Sequence, residues 1–176
     1  MSTCKSALAL AAFTIGCTTS ACLVYSACAD EVAPESKPAS NSEYQKTVSQ
    51  IDYRKRTISL ADFKTAAAKP GTVILDLRSE NEYKSGHIKN AVNVGADITA
   101  EKLKKLSPDK KSTIVVYCTN SFFPTRRFAL TAVCLPQIIG LGYSNAYVLE
   151  QLWHRNLDDT EKFKKSELWV DAKASK

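Results

Sequence analysis

The segment Thr113-Ile114-Val115-Val116-Tyr117 is β-branched at four of its five positions, and it stops at Cys118. A continuous apolar run of this length has no polar face to turn toward water, so it reads as a strand buried on both sides. Thr72–Leu77 (TVILDL) is a second such run; Ala91–Val94 (AVNV) and Asn145–Leu149 (NAYVL) are shorter ones. Helical spacing fills the intervals. Ser59 is an N-cap for LADFKTAAAK, with Asp62 three residues on, and Lys69-Pro70-Gly71 stops that helix. Ser79–Lys84 predicts a helical turn, Gly86-His87-Ile88 a turn, and Thr99 caps a helix through Leu106. Residues 43–56 predict a short leading helix, and residues 118–127 (CTNSFFPTRR) a polar-aromatic loop. The stretch FALTAVCLPQIIGLG predicts a helix that breaks or bends at Pro136 and ends at Gly140–Gly142. Residues 150–156 predict a helix start or a loop. Strands alternating with helices predict an α/β fold whose parallel sheet is covered on both faces. Ligands of such sheets sit at the carboxyl ends of the strands, and that is where Cys118 stands.

The N-terminus has a different character. Residues 1–29 hold Lys5 as their one charge, followed by SALALAAFTIGCTTSACLVYSACA. A short positive head, an apolar stretch and the small-x-small site Ala27-Cys28-Ala29 predict an export signal cleaved after Ala29. The expected location is therefore the periplasm or cell envelope. Two alternatives stand beside it. Tyr25-Ser26-Ala27-Cys28 resembles a lipobox with Tyr25 where Leu is usual, and lipidation at Cys28 would then anchor the chain. An uncleaved anchor is the other, although Thr14, Thr18, Thr19, Ser20 and Ser26 make the stretch a poor span. A membrane is a partner only under these two alternatives. Residues 30–42 read as a linker. The expected organisation is a signal at 1–29, linker and leading helix at 30–57, a domain at 58–155 and a charged tail at 156–176. Leu168, Trp169 and Val170 are able to dock that tail on the body.

Charge excludes little. The excess of 24 Lys and Arg over 18 Asp and Glu is mild and spread along the chain, so it does not point to nucleic acid. Charged residues at 24% and hydrophobic ones at 44% exclude wholesale disorder. Four of the six cysteines fall within the first 28 residues, so the signal would take all but Cys118 and Cys134. Those two form a disulfide in an oxidising compartment, or one is a working thiol and the other a buried one; both readings stay open. No residues have metal-ligand spacing. His87 is a lone histidine after a glycine and reads as a satisfied structural residue; His154 reads as surface.

Cys118 follows an apolar strand and precedes a loop that feeds a helix. Loop N–H groups, the helix N-terminus, and Arg126 and Arg127 at its start all favour a thiolate there. A thiolate so placed is a nucleophile candidate. A small residue closing a buried strand is the plain alternative.

Three pieces of the chain together resemble the rhodanese-like family. Ile74-Leu75-Asp76-Leu77-Arg78, with Glu82-Tyr83, Gly86-His87-Ile88 and Ala91-Val92-Asn93, looks like its first signature. Ile114–Cys118 looks like the strand leading to its active cysteine. Gly142–Ala146 followed by Trp153 looks like its last signature. The resemblance implies a three-layer α/β/α fold with a central, mostly parallel sheet. It implies a sulfurtransferase or persulfide carrier in which Cys118 takes a sulfane sulfur from an anion such as thiosulfate and passes it to cyanide, a thiol or a protein acceptor. Thr119, Asn120 and Ser121 would cradle the persulfide, and Arg126 or Arg127 would attract the anion. Asp76, Arg78, Glu82 and His87 would support the site, with Arg78 and Glu82 paired near the loop's base. No cofactor is implied.

Several residues depart from the family's pattern. Seven residues separate Cys118 from Arg126, against a usual shorter loop, and Phe123 stands where one subgroup has a second cysteine. The same spacing argues against the phosphatases that share the fold. Glu150-Gln151 replaces a glycine pair. The alternatives to a sulfurtransferase are a non-catalytic binding or sensing module on the same fold, and a thiol redox protein using Cys118 and Cys134.

Overall fold

A computed structural model describes residues 41–125 and 129–172. The export signal with its Cys28 alternative, residues 30–40 of the linker, Arg126, Arg127 and the last four residues of the tail lie outside the described residues.

Five strands form one sheet in the order β1 (Thr57–Ile58), β6 (Ala146–Leu149), β5 (Ile114–Tyr117), β2 (Val73–Asp76), β4 (Ala91–Asn93), and every pairing is parallel. The apolar run at 113–117 is therefore the central strand, as a run without a polar face must be. Period-2 alternation sends its side chains to two cores. Ile114, Val116 and Cys118 join Leu75, Leu103, Cys134, Leu135 and Ile138 on one face. That face is covered by α4 (Ala100–Leu106) and α6 (Leu130–Gly140), and α1 (Asn41–Gln50) packs on α6. Val115 and Tyr117 join Phe63, Ile74, Phe122, Leu149 and Phe163 on the other face. There α2 (Leu60–Ala67) brings Phe63 and α7 (Leu157–Lys164) brings Phe163.

Two caps form where the sequence places them: Ser59 Oγ accepts from Asp62 N and Thr99 Oγ1 from Lys102 N. The structure adds a third, a reciprocal capping box of Ser79 with Glu82 at the start of α3 (Glu80–Lys84). Three expectations are corrected by non-local partners. Gly86-His87-Ile88 is not a turn but strand β3, which pairs antiparallel with β7 (Trp169–Asp171) in a two-stranded ribbon. Gly86 has φ +140°, and a Cβ there would lie 2.8 Å from the Trp169 indole, so the position demands glycine. Residues 118–127 do not form a continuous loop: Thr119–Phe122 is a one-turn helix, α5.

The third correction concerns Pro136, which does not break α6. The helix runs through it to Gly140. A proline lacks the N–H that would bond the carbonyl four residues back, here that of Ala132. Tyr53 Oη donates to that carbonyl at 3.0 Å, and Tyr44 Oη reaches the carbonyl of Val133 at 3.5 Å. Two tyrosines from before the sheet thus satisfy the helix where proline interrupts it. Residues 150–156 hold a short 3₁₀ turn, Leu152–His154.

Candidate active site

Tyr117 is the last residue of β5, and the chain turns there from strand to helix. Cys118 is extended (φ −144°, ψ −176°) and is the N-cap of α5. An N-cap side chain stands where it can accept from the free N–H groups of the first turn. Cys118 N donates to Ser121 Oγ at 3.3 Å, and Ser121 N donates to Cys118 O at 2.9 Å. Cys118 is 2% exposed and packs on the face that holds Cys134, Leu135 and Ile138; α5 follows it and, through Phe122, roofs the Tyr117 and Arg78 side chains.

Side chains from three other elements hold this roof. Thr119 Oγ1 donates to Glu82 Oε1 at 2.6 Å. Trp153 Nε1 donates to Asn120 O at 2.8 Å. Thr160 Oγ1 donates to Phe122 O at 2.9 Å. Asn120 Oδ1 accepts from Thr125 N and Oγ1. The side chains of Thr119, Asn120 and Ser121 are thus engaged in shaping the turn rather than free for a ligand. What the turn offers an anion is its backbone N–H groups.

Beneath the roof lies a buried charged cluster. The Asp76 carboxylate is fully buried. It accepts from Arg78 N at 2.8 Å, Arg78 Nε at 3.0 Å, Arg78 Nη2 at 2.6 Å and Tyr117 Oη at 2.6 Å. Arg78 also donates to Gly86 O at 2.8 Å, and Tyr117 Oη accepts from Ile88 N at 3.2 Å. The guanidinium lies 5.4 Å from the Tyr117 and Phe122 ring centroids and 5.8 Å from that of Trp169. Burial and the Asp76 carboxylate push the Tyr117 phenol well above its ordinary range. Asn93 Nδ2 donates to Asp76 O and Arg78 O, fixing the end of β2 from β4.

The expected Arg78–Glu82 pair does not form. Arg78 is engaged by Asp76, two residues away, and Glu82 is engaged by Ser79 and Thr119. Those hydroxyl and amide donors, with the more distant Arg78, hold the Glu82 carboxyl below the usual range although its burial opposes this. His87 stacks on Tyr83 with centroids 3.9 Å apart, and its Nδ1 lies 3.0 Å from Tyr83 O. Glu150, in place of a glycine, accepts from Leu60 N at 2.7 Å and from Arg155 Nη2 at 3.0 Å, so it caps α2 from the end of β6.

Cys134 shares the buried core of Cys118; both are free thiols. Its Sγ donates to Ala96 O at 3.6 Å. Burial, with a smaller contribution from Cys118, pushes its thiol up to about 11. A groove of about 470 Å³ opens between the end of β6 and the start of α6, lined by Ala129, Thr131, Glu150, His154 and Arg155 among others; Cys118 does not line it. Among the described residues no cluster of His, Cys, Asp and Glu could hold a metal, and no helix is long and apolar enough to cross a membrane.

Thr160, which holds the roof, escaped the sequence reading because it carries no local signal. Trp169 packs on the body, as expected of the apolar triplet in the charged tail.

Comparison with known proteins places the chain. Over 85 residues it is 41% identical to the tRNA uridine(34) hydroxylase of Yersinia pestis, which is 46% of this chain and 22% of that protein. The chain thus spans about a fifth of the length of the curated relatives it matches. Among solved structures, the Alr3790 protein of Anabaena sp. is 17% identical with a TM-score of 0.48, covering 65% of this chain and 91% of that one. The human single-domain sulfurtransferase is 20% identical with a TM-score of 0.43, covering 63% and 97%. The rhodanese-like domain profile matches residues 59–154, more than half of the sequence and the whole of the sheet from β2 to β6, and the chain belongs to the rhodanese-like family.

Proposed function

We propose that the chain is a sulfurtransferase or persulfide carrier working through Cys118. The observation that carries this is the place of Cys118: a cysteine at the carboxyl end of the central parallel strand, capping a helical turn whose first two N–H groups, those of Thr119 and Asn120, come too early to bond within it. The Cys118 thiolate attacks the outer sulfur of thiosulfate, the bond between the two sulfurs of thiosulfate breaks, and sulfite leaves with its electron pair. Cys118 then carries an anionic persulfide, and the N–H groups of α5 stabilise it. Cyanide or a thiolate attacks the terminal sulfur, releases thiocyanate or a new persulfide, and restores the thiolate. Arg126 and Arg127 attract the incoming anion. The N-terminal segment exports the protein, so the acceptor is an envelope thiol or a small nucleophile.

The test is steady-state turnover of thiosulfate and cyanide to thiocyanate. Wild type is expected to turn over, and Cys118→Ser is expected to lose the activity outright while Cys134→Ala and His87→Gln keep most of it. Turnover that survives Cys118→Ser refutes the assignment. The burial of Cys118 favours one second reading, a rhodanese-fold binding or sensing module. That reading predicts no turnover in any variant.

A further inference from the structure

The match to the family ends at residue 154, yet much of what holds α5, the turn that Cys118 caps, comes later in the chain. Thr160, itself 2% exposed, donates from α7 to the carbonyl of Phe122, the last residue of α5. The Phe122 ring is 1% exposed and meets Trp169 edge-on at 5.3 Å and Phe163 at 6.2 Å. Lys164 Nζ stands 4.4 Å over the Phe123 ring, which is 45% exposed at the edge of the turn. Trp169 also covers the Arg78 guanidinium, and it belongs to β7, whose partner β3 is the other half of a two-stranded ribbon three residues long. A ribbon this short is marginal on its own, so α7 and β7 are held chiefly by what they pack against.

We infer that the segment 157–171 is a latch on the active turn, with Thr160 as the positioning residue that holds α5 closed. Cys118 is 2% exposed, so its sulfur reacts after a local opening, and the opening assigned here is that of α5, which Cys118 caps and to which it is bonded through Ser121. Opening detaches the Phe122 carbonyl from Thr160 and the Phe122 ring from Phe163 and Trp169. The frequency of that local event sets the accessibility of the thiol. The inference rests on Cys118 as the reactive residue and not on the identity of the sulfur donor.

Iodoacetamide alkylation of the full chain under native conditions, with peptide mass mapping of each cysteine, tests it. Thr160→Val keeps the shape of the side chain but leaves the Phe122 carbonyl unpaired and buried. Losing one such bond is expected to raise the rate at Cys118 roughly tenfold. Thr160→Ser keeps the hydroxyl and is expected to restore the wild-type rate. Trp169→Leu, a second variant that spares the hydrogen bond, is expected to accelerate Cys118 as well. Cys134, fully buried in the same core but not under the latch, is expected to keep its wild-type rate in all three. An unchanged Cys118 rate in Thr160→Val and Trp169→Leu overturns the latch. So does a parallel rise at Cys118 and Cys134, because that pattern reports global unfolding. Expected alkylation behaviour in a chain that takes no sulfur from thiosulfate sustains the latch and removes the sulfurtransferase reading.

Discussion

Replacing Asp76 by Asn tests the buried cluster beneath the active turn. Asp76 is fully buried and Arg78 is 7% exposed, so neither charge has water to fall back on. The carboxylate receives the Arg78 amide, two guanidinium nitrogens and the Tyr117 hydroxyl. Asparagine keeps one acceptor oxygen and turns an NH₂ toward donors that need an acceptor. The guanidinium then stays buried without its counter-ion. Breaking a buried pair in this way costs about 3–5 kcal/mol. A domain has roughly 5–15 kcal/mol in all, so the loss is a large fraction of it. The midpoint of thermal unfolding, followed by circular dichroism, is expected to fall by roughly 10–15 °C. Glu80→Gln, which breaks the exposed Lys84–Glu80 pair, is the control and is expected to leave the midpoint where it was. A loss below about 1 kcal/mol in Asp76→Asn would refute the reasoning, since it would mean that the cluster is solvated or easily rebuilt.

Two further outcomes follow from particular residues. The folded-state thiol of Cys134 sits near 11 against an ordinary value of 9.0, so the unfolded chain gives up this proton first as pH rises. The associated stability is complete below pH 9 and drains away through pH 11, and a Cys134→Val variant is expected to lose about 2 kcal/mol less than wild type across that window in urea unfolding. Equal losses would refute it. Gly86→Ala forces a Cβ to within 2.8 Å of the Trp169 indole at φ +140°, and it is expected to cost about 2 kcal/mol and to shift the indole fluorescence toward that of exposed tryptophan. An unshifted spectrum would place the indole elsewhere.

What was legible in the sequence was what depends on near neighbours. The runs at 73–76 and 114–117 declared a doubly covered sheet because an unbroken apolar strand has no other home. Ser59 and Thr99 declared their helices because a cap reaches only three residues forward. The misses involve distant partners. Gly86-His87-Ile88 has the composition of a turn and becomes a strand only because Trp169–Asp171 arrives beside it. Pro136 reads as a break or a bend; the helix is not broken, and the carbonyl that Pro136 orphans is met by Tyr53, 79 residues away in sequence. The resemblance implied an Arg78–Glu82 pair, but the buried Asp76, two residues from Arg78, takes the guanidinium. That Cys118 closes the central strand was legible from the apolar run before it; the helical turn α5 and its attachments to Trp153 and Thr160 were not, because a four-residue turn carries no periodicity.

The most direct measurement of the central claim is mass spectrometry of the protein after exposure to thiosulfate, with peptide mapping and a Cys118→Ser control. The account predicts the gain of a single sulfur on the peptide that contains Cys118, its absence in the variant, and its loss on addition of cyanide with thiocyanate formed in step. An unmodified Cys118 that still reacts with iodoacetamide, or a sulfur found on Cys134 instead, would contradict it.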